Sequence, residues 1–227
     1  MKKKIFYSEL TYVLGMIFLS LGTALMTLSD FGLSMIVAPA YILHLKISQF
    51  LPFFSFGMAE YTFQAILIVI IIFAVRKFKV SYLFSFLTAV IYGVFLDAFI
   101  ALLSFIPTPF YVRVIFYVAG FFIVTFGVAL FFKTYISPEA YELIVKEISS
   151  KYKLDLHFFK TIYDISSLVL SVTLSFVFFG FGVFNGVSWG TLVSAIFNGI
   201  SIKFFSNLLD RHFEFKDRFK FRNFFEK

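Results

Sequence analysis

The stretch Tyr12–Leu25, YVLGMIFLSLGTAL, decides the fold because a second copy of it follows at Tyr117–Leu130, YVAGFFIVTFGVAL. Six of the fourteen aligned positions are identical, including both glycines of each copy. The glycines are seven residues apart, so they lie on one helix face, where the backbone of another helix can approach closely. After each copy the predicted helix ends, a short segment follows, and two long apolar runs come after it. This order indicates an internal duplication.

The composition places the chain among membrane proteins. Of its residues, 60% are hydrophobic and 15% are charged, and the mean hydropathy of +0.93 is far above that of soluble proteins. The net charge of +7 does not indicate nucleic-acid binding, because the basic residues stand at the ends of apolar runs, as membrane topology requires. The chain contains no cysteine, which excludes disulfides, thiol catalysis and thiolate metal sites.

Six apolar runs are long enough to span a bilayer, which takes about 20 residues in a helix. They lie at about residues 9–28, 57–75, 80–105, 110–132, 158–180 and 186–208. We therefore predict an all-α polytopic membrane protein with a single membrane domain over residues 1–227. Repeat one covers about 9–105, repeat two covers about 110–208, and a basic tail follows at 209–227.

A shorter segment follows the first span of each repeat, at residues 33–48 and 136–153. The second segment is amphipathic, with Glu139, Glu142, Lys146 and Glu147 interspersed among an apolar helical face formed by Tyr141, Ile144, Ile148 and Tyr152. This pattern predicts an interfacial helix that lies in the membrane surface. The first segment is more apolar, so we expect it either to lie on the surface or to re-enter the membrane.

The positive-inside rule predicts the orientation. With six spans and a cytoplasmic N-terminus, all Lys and Arg residues except Lys46 and Arg113 lie on or near the cytoplasmic side. Both termini are then cytoplasmic. Because each repeat has three spans, the second copy enters from the opposite side, and the halves are inverted repeats. Such repeats are typical of secondary transporters, which bind their solute between the halves. The short segments would either act as gates or cap the bundle.

The third and sixth predicted spans contain motifs that resemble a known family. These motifs are Tyr92-Gly93-Val94-Phe95-Leu96-Asp97, Gly186-Val187-Ser188-Trp189-Gly190-Thr191 and Asn198-Gly199, with breaks at Gly32-Leu33-Ser34 and Ile136-Ser137-Pro138. In them the chain resembles the YitT/YczE group of bacterial integral membrane proteins over nearly its whole length. The resemblance implies a multi-pass protein of the bacterial plasma membrane, and it implies no particular substrate.

Polar side chains within the spans are the candidates for a site, because a charged group at the centre of a membrane helix costs about 2.5–3.5 kcal/mol. We expect Asp97 of the third span and Asn198 of the sixth span to border a common polar cavity. The full set of candidate substrate-binding residues is Asp97, Asn198, Tyr92, Gln64, Glu60, Ser194 and Trp189, and the candidate coupling residues are Asp97 and Asp164.

Five of these candidates also have a structural interpretation. Glu60, near one end of its span, would be an exposed helix-end carboxylate, and Asp164 would pair with Lys160 one turn away. Trp189 would belong to the interfacial aromatic belt, and Asn198 would hydrogen-bond between helices. For Asp97, which has no charged partner nearby in the sequence, a substrate or proton site and a structural hydrogen bond are both open.

The sequence contains no HExxH, GxSxG or Walker motif, so we expect no enzyme, cofactor or metal site. The tail interleaves basic residues with Phe, which favours anionic inner-leaflet lipids over nucleic acid as its partner.

Three functions stay open: a small secondary transporter or exchanger of a small solute, the substrate-binding subunit of a larger importer, and a non-transporting scaffold or regulator. The inverted repeat favours the first. The identity of the small-molecule solute and the assembly, a homodimer included, stay open.

Overall fold

The computed structural model describes residues 3–137 and 139–219, and their secondary structure is almost entirely helical. The helices are α1 (Ser8–Ser29), α2 (Ala38–Ile47), α3 (Phe56–Val75), α4 (Val80–Leu103), α5 (Phe110–Phe131), α6 (Ala140–Tyr152), α7 (Leu156–Phe179) and α8 (Trp189–His212). Two short strands, β1 (Lys4–Tyr7) and β2 (Phe213–Lys216), complete the set. Pro138 of the predicted break and residues 220–227 of the predicted tail lie outside the described residues.

Six of these helices, α1, α3, α4, α5, α7 and α8, are long and apolar enough to cross a membrane. They coincide with the six predicted spans, so the predicted number of spans is confirmed. Large apolar side chains cover their outer surfaces, and Phe73 of α3 and Val177 of α7 are more than 70% exposed. Such a surface is stable in lipid, and we conclude that this is a multi-pass membrane protein.

The two copies of the repeated stretch lie on α1 and α5, which pack against each other at the centre of the bundle. Gly15 lies against Gly127, and Gly22 lies against Gly120, so the two helices run in opposite directions. A Cβ added at Gly22 would lie 2.8 Å from the Gly120 carbonyl oxygen, and one at Gly120 would lie 2.7 Å from the Gly22 carbonyl oxygen. The close backbone approach predicted from the glycine spacing is therefore confirmed.

The remaining helices pack around this central pair. Helix α4 lies against α1 and α3, and α8 lies against α5. At the α3–α4 contact, Gly57 and Gly93 meet backbone to backbone, whereas a Cβ added at Gly199 of α8 would meet nothing within 4 Å. Over the described residues, α7 packs against α2 and α6 and makes no comparable contact with α8. The two repeats therefore differ in the packing of their last two helices.

Helix α6 lies inside the bundle, beside α3, rather than outside it. Its first backbone N–H, that of Ala140, donates to Gln64 Oε1 at 3.0 Å, and Lys151 Nζ near its end donates to the Val75 carbonyl oxygen at 3.0 Å. The two helices therefore run in the same direction. Tyr141 is buried on the packed face of α6. The position of this segment relative to the membrane surface stays a prediction, and the structure shows that its apolar face is covered by protein.

Helix α2 lies beside α7 in the corresponding way. Ala38 and Ile42 pack in one apolar cluster with Leu168 and Val172 of α7. At the other end of α2, Lys46 Nζ donates to the Phe178 carbonyl oxygen at 3.3 Å. Each short helix thus runs along the second long helix of the opposite repeat.

A parallel two-stranded ribbon joins the two ends of the chain. β1 pairs with β2, with Lys4 opposite Phe213 and Tyr7 opposite Lys216. Next to the ribbon, the Glu9 carboxylate accepts hydrogen bonds from the backbone N–H groups of Arg218 and Phe219 and from the Tyr135 hydroxyl. Both ends of the described chain therefore lie on the same side of the bundle, and the first part of the predicted tail is bound to the protein.

Substituting Gly22 with Ala is expected to lower the melting temperature of the detergent-purified protein. The added methyl group meets the backbone of α5 at less than 3 Å, and overpacking of this kind costs about 1–3 kcal/mol. Gly199→Ala is the matched control, because its methyl group meets nothing within 4 Å and Ala is the better helix former by about 1 kcal/mol. An equal fall in both variants would contradict the close contact between α1 and α5.

Candidate functional site

A cavity of about 90 Å³ lies between the two repeats. Its walls come from α1, α4 and the segment before α2 in the first repeat, and from α5, α6, α7 and α8 in the second. Much of the lining is apolar and includes Leu19, Met26, Val124, Val128, Phe131 and Ile202. The polar side is formed by Thr23, Tyr92, Glu139, Glu142, Lys160, Asp164 and Asn198. The cavity can therefore accommodate a small solute that has both apolar and charged parts.

Glu139, immediately before α6, places a carboxylate in the cavity wall. It is 7% exposed, and its Oε1 atom has no hydrogen-bond partner among the described residues. Burial raises the pKa of Glu139 well above its usual range, the negative charges of Glu60 and Glu142 raise it further, and the hydrogen bond from Gln64 lowers it. Glu139 therefore favours its protonated form.

The neighbouring part of the wall is an ion-pair network centred on Lys160. Lys160 Nζ lies 3.4 Å from Glu142 Oε1 and 3.5 Å from Asp164 Oδ1. The predicted pairing of Lys160 with Asp164 is thus present. With Glu139 included, the cavity wall contains three carboxyl groups and one ammonium group, so its fully ionised form would carry excess negative charge.

Behind this wall lie Glu60 and Gln64 of α3, both with no exposed surface. Gln64 Nε2 is 3.4 Å from Glu60 Oε2 and 3.3 Å from Glu139 Oε2. The Tyr141 hydroxyl also donates to Glu60 Oε2, at 2.8 Å. The interpretation of Glu60 as an exposed helix-end carboxylate is wrong, because α6 covers this part of α3.

Asp97 lies at a different place in the structure. Its Oδ1 atom accepts from the Gly57 backbone N–H at 2.7 Å, and its Oδ2 atom accepts from the Ser55 hydroxyl. A carboxylate at the N-terminus of α3 interacts favourably with the helix dipole. Asn198 lines this cavity and Asp97 does not, so this cavity is not the common one expected for the two residues. A role of Asp97 in binding or coupling stays a prediction.

The other predicted residues fall into two groups. Tyr92, Asn198 and Asp164 line the cavity, and the Tyr92 hydroxyl donates to Thr23 Oγ1 at 3.0 Å. The remaining two, Ser194 and Trp189, lie near the start of α8, where Ser194 Oγ is 3.0 Å from the Tyr117 hydroxyl. Trp189 is 57% exposed and its ring lies against Phe31. The structure therefore gathers only part of the predicted set around the cavity.

Reasoning from the sequence missed Glu139, Glu142, Lys160 and Thr23 as cavity residues. The internal repeat contains a signal that points to Glu139. Segment 136–153 corresponds to segment 33–48, whose apolar sequence is compatible with a re-entrant path. If the second segment also re-enters the membrane, the acidic residues at its start lie inside the bundle and not at the membrane surface.

A second cavity, of about 250 Å³, lies beside the first. Its lining is more polar and includes Thr27, Asp30, Asn185 and Ser188. Met26 and Leu33 line both cavities. These two side chains therefore separate the polar cavity from the one that contains Glu139.

We expect the thermal stability of the purified protein to fall as pH rises above the ordinary Glu pKa of about 4.3. Glu139 binds its proton more tightly in the folded state than in the unfolded state, so this contribution is fully present at low pH and is lost as pH rises through the raised pKa. Glu139→Gln should remove this part of the pH dependence, measured as melting temperature. The matched control is Glu214→Gln, at an exposed carboxylate of β2. Identical pH profiles for the wild type and Glu139→Gln would contradict the expectation.

Comparison with known proteins gives one match. No curated protein and no solved structure matches the chain. The model of a protein family matches residues 6–207, a range that contains α1 to α7, most of α8 and every residue of the cavity wall. The chain therefore belongs to DUF6198, a family of unknown function.

Proposed function

We propose that this protein is a small secondary transporter or exchanger that moves a small solute across the bacterial plasma membrane. The observation that carries the proposal is the cavity between the two repeats. It lies in a bundle of six membrane-length helices, and its wall contains a buried carboxylate oxygen, Glu139 Oε1, without a hydrogen-bond partner among the described residues. Ionisable groups in such positions commonly belong to solute or ion pathways.

We infer that the halves are inverted repeats. In the two copies of the repeated stretch, Gly15 is equivalent to Gly120 and Gly22 is equivalent to Gly127. A two-fold relation therefore requires that a contact of Gly15 with Gly127 be accompanied by a contact of Gly120 with Gly22, and both contacts are present. The same exchange converts the packing of α6 on α3 into the packing of α2 on α7. Two independent pairs of contacts thus support a two-fold relation between helices that run in opposite directions.

We further infer that α2 and α6 are half-helices that enter the membrane from opposite faces. Gln64, which meets the start of α6, is about 12 Å along the axis of α3 from Phe56, at 1.5 Å per residue. Lys151 meets the other end of α3, so α6 would begin within the membrane and end at its surface. Ser137 and Glu139, which precede α6, are both buried in protein, as irregular backbone at this depth requires.

The separation of α7 and α8 supports movement in the second repeat. These helices line the cavity through Lys160, Asp164 and Asn198 without packing closely on each other over the described residues. A shift of either helix would change access to the cavity. On the opposite side, Met26 and Leu33 would form the barrier between the cavity and the polar one beside it. Alternating access requires a barrier on each side of a site, opened in turn.

The competing functions are a subunit of an importer and a membrane scaffold. Capture of a solute from one side needs no two-sided repeat, and a scaffold needs no charged cavity, so both explain less of the structure.

On the motifs quoted above, we also propose that the family is related to the YitT/YczE group. The basic tail would contact anionic lipids of the inner leaflet.

Purified protein in liposomes, without any ATPase, tests the transport proposal. We expect accelerated uptake of at least one member of a panel of small solutes of both charge signs. Asn198→Ala and Glu139→Gln should reduce this uptake at least several-fold, because both residues line the cavity, whereas the exposed Glu214→Gln should leave it unchanged. Binding of a solute without flux would favour the importer subunit, and neither binding nor flux would favour the scaffold.

The proposed topology places Lys77 inside the cell and Phe53 outside. Both residues are exposed in turns between helices. Single cysteines can be introduced without background because the natural chain contains none. We expect Phe53→Cys to react with a membrane-impermeant maleimide in intact cells and Lys77→Cys to react only after lysis. Labelling of Lys77→Cys in intact cells would contradict the cytoplasmic termini and the orientation of both repeats.

A further inference from the structure

Glu60 and Glu139 come from different repeats and meet at Gln64. Glu60 and Gln64 lie one turn apart on α3, and Glu139 precedes α6. The Gln64 side-chain nitrogen lies 3.4 Å from Glu60 Oε2 and 3.3 Å from Glu139 Oε2. The three side chains therefore form a bridge between the halves, and we call them the carboxyl bridge.

Hydrogen bonding determines the orientation of the amide in the carboxyl bridge. The Ala140 backbone N–H donates to Gln64 Oε1 at 3.0 Å, so the amide NH₂ group faces the two carboxyl groups. The Tyr141 hydroxyl donates to Glu60 Oε2 at 2.8 Å. The Oε1 atoms of Glu60 and Glu139 are buried and have no hydrogen-bond partner among the described residues.

Among the described residues, no basic side chain forms an ion pair with the carboxyl bridge. The groups that interact with it are Tyr12 of α1, Tyr92 of α4, Tyr141 and Glu142 of α6, and Tyr163 of α7. Lys160 and Asp164 of α7 line the same cavity as Glu139. Lys160, the cation of this set, pairs with Glu142 and Asp164. No ion pair joins Glu60 or Glu139 to a described Lys or Arg side chain.

Two negative charges that share one neutral amide in a dry interior are strongly unfavourable. A bound metal ion would relieve them, but the described residues contain no cluster of three or more His, Cys, Asp or Glu side chains that could hold one. A single bound proton also removes the repulsion between the two negative charges, because it neutralises one carboxyl group. It turns one of the unpartnered oxygens into a hydrogen-bond donor.

We propose that Glu60 and Glu139 hold one proton between them and that this pair is the proton-coupling site of the protein. The coupling part rests on the proposed transport function. Glu139 lines the cavity, so a positively charged group of a solute that approached it would displace the proton into the water of the cavity. Movement between the halves would separate the two carboxyl groups, which lowers their mutual repulsion and hence their affinity for the proton.

Infrared spectroscopy of the purified full-length protein tests the proton pair directly. The wild type should show a carboxylic acid C=O stretching band that persists well above the ordinary Glu pKa of about 4.3 and that shifts on exchange into D₂O. The double variant Glu60→Gln/Glu139→Gln should lose the band. In each single variant the band of the remaining carboxyl group should disappear at a lower pH than in the wild type, because the neighbouring negative charge is gone. The matched control Glu214→Gln should leave the band unchanged.

Melting temperatures of all variants show whether they are folded, and Gln is close enough to a protonated Glu in shape to keep the packing. Absence of a persistent band in the wild type, or its survival in the folded double variant, would overturn the proton pair. The liposome assay separates the two proposals. Proton-independent solute flux without the band overturns the coupling site and leaves the transporter, whereas the expected band without solute flux overturns the transporter and leaves the proton pair.

Discussion

The backbone contact between α1 and α5 is the constraint on which the rest of the structure depends. Four glycines remove the side chains between these helices, and in a membrane, where lipid is as apolar as the helices, close van der Waals packing is the main source of attraction between them. The same two helices supply Leu19, Thr23, Val124 and Val128 to the cavity. The most extensive packing between two described helices therefore also forms one wall of the candidate site.

Some polar side chains in this apolar chain hydrogen-bond to their own helix, as Ser20 and Ser171 do, and others find partners in distant parts of the sequence. Asp97 accepts from Ser55 and Gly57, and Tyr117 donates to the Gly190 carbonyl. Unsatisfied polar groups are costly in a dry interior. Glu60, Glu139 and Asp164 have one buried oxygen each without a hydrogen-bond partner among the described residues, and Glu139 and Asp164 line the cavity. Incomplete hydrogen bonding therefore distinguishes these three carboxyl groups from the fully hydrogen-bonded Asp97, although all four are acidic side chains.

The spans and the central glycine contact could be predicted because length, hydropathy and the spacing of small residues determine them locally. The position of α6 could not be predicted in this way. Its charges suggested water on one face, but Glu142 lies beside Lys160 and Glu147 lies beside Lys79. An amphipathic pattern shows that a polar face exists, and it does not show whether water or another helix covers that face. The burial of Glu60 was missed for the same reason.

The difference between the halves is encoded in the residues themselves. In the first repeat, the contact of Gly57 with Gly93 and the carboxylate of Asp97 at the N-terminus of α3 join α3 to α4. In the second repeat, the position of Asp97 is taken by Lys203, and a cation at a helix N-terminus is unfavourable. The α7–α8 pair therefore cannot form the same junction. Helices α3 and α4 are joined at this contact, whereas α7 and α8 do not pack closely on each other over the described residues. The charged wall of the cavity comes from α7, from α6 and from Glu139 just before α6.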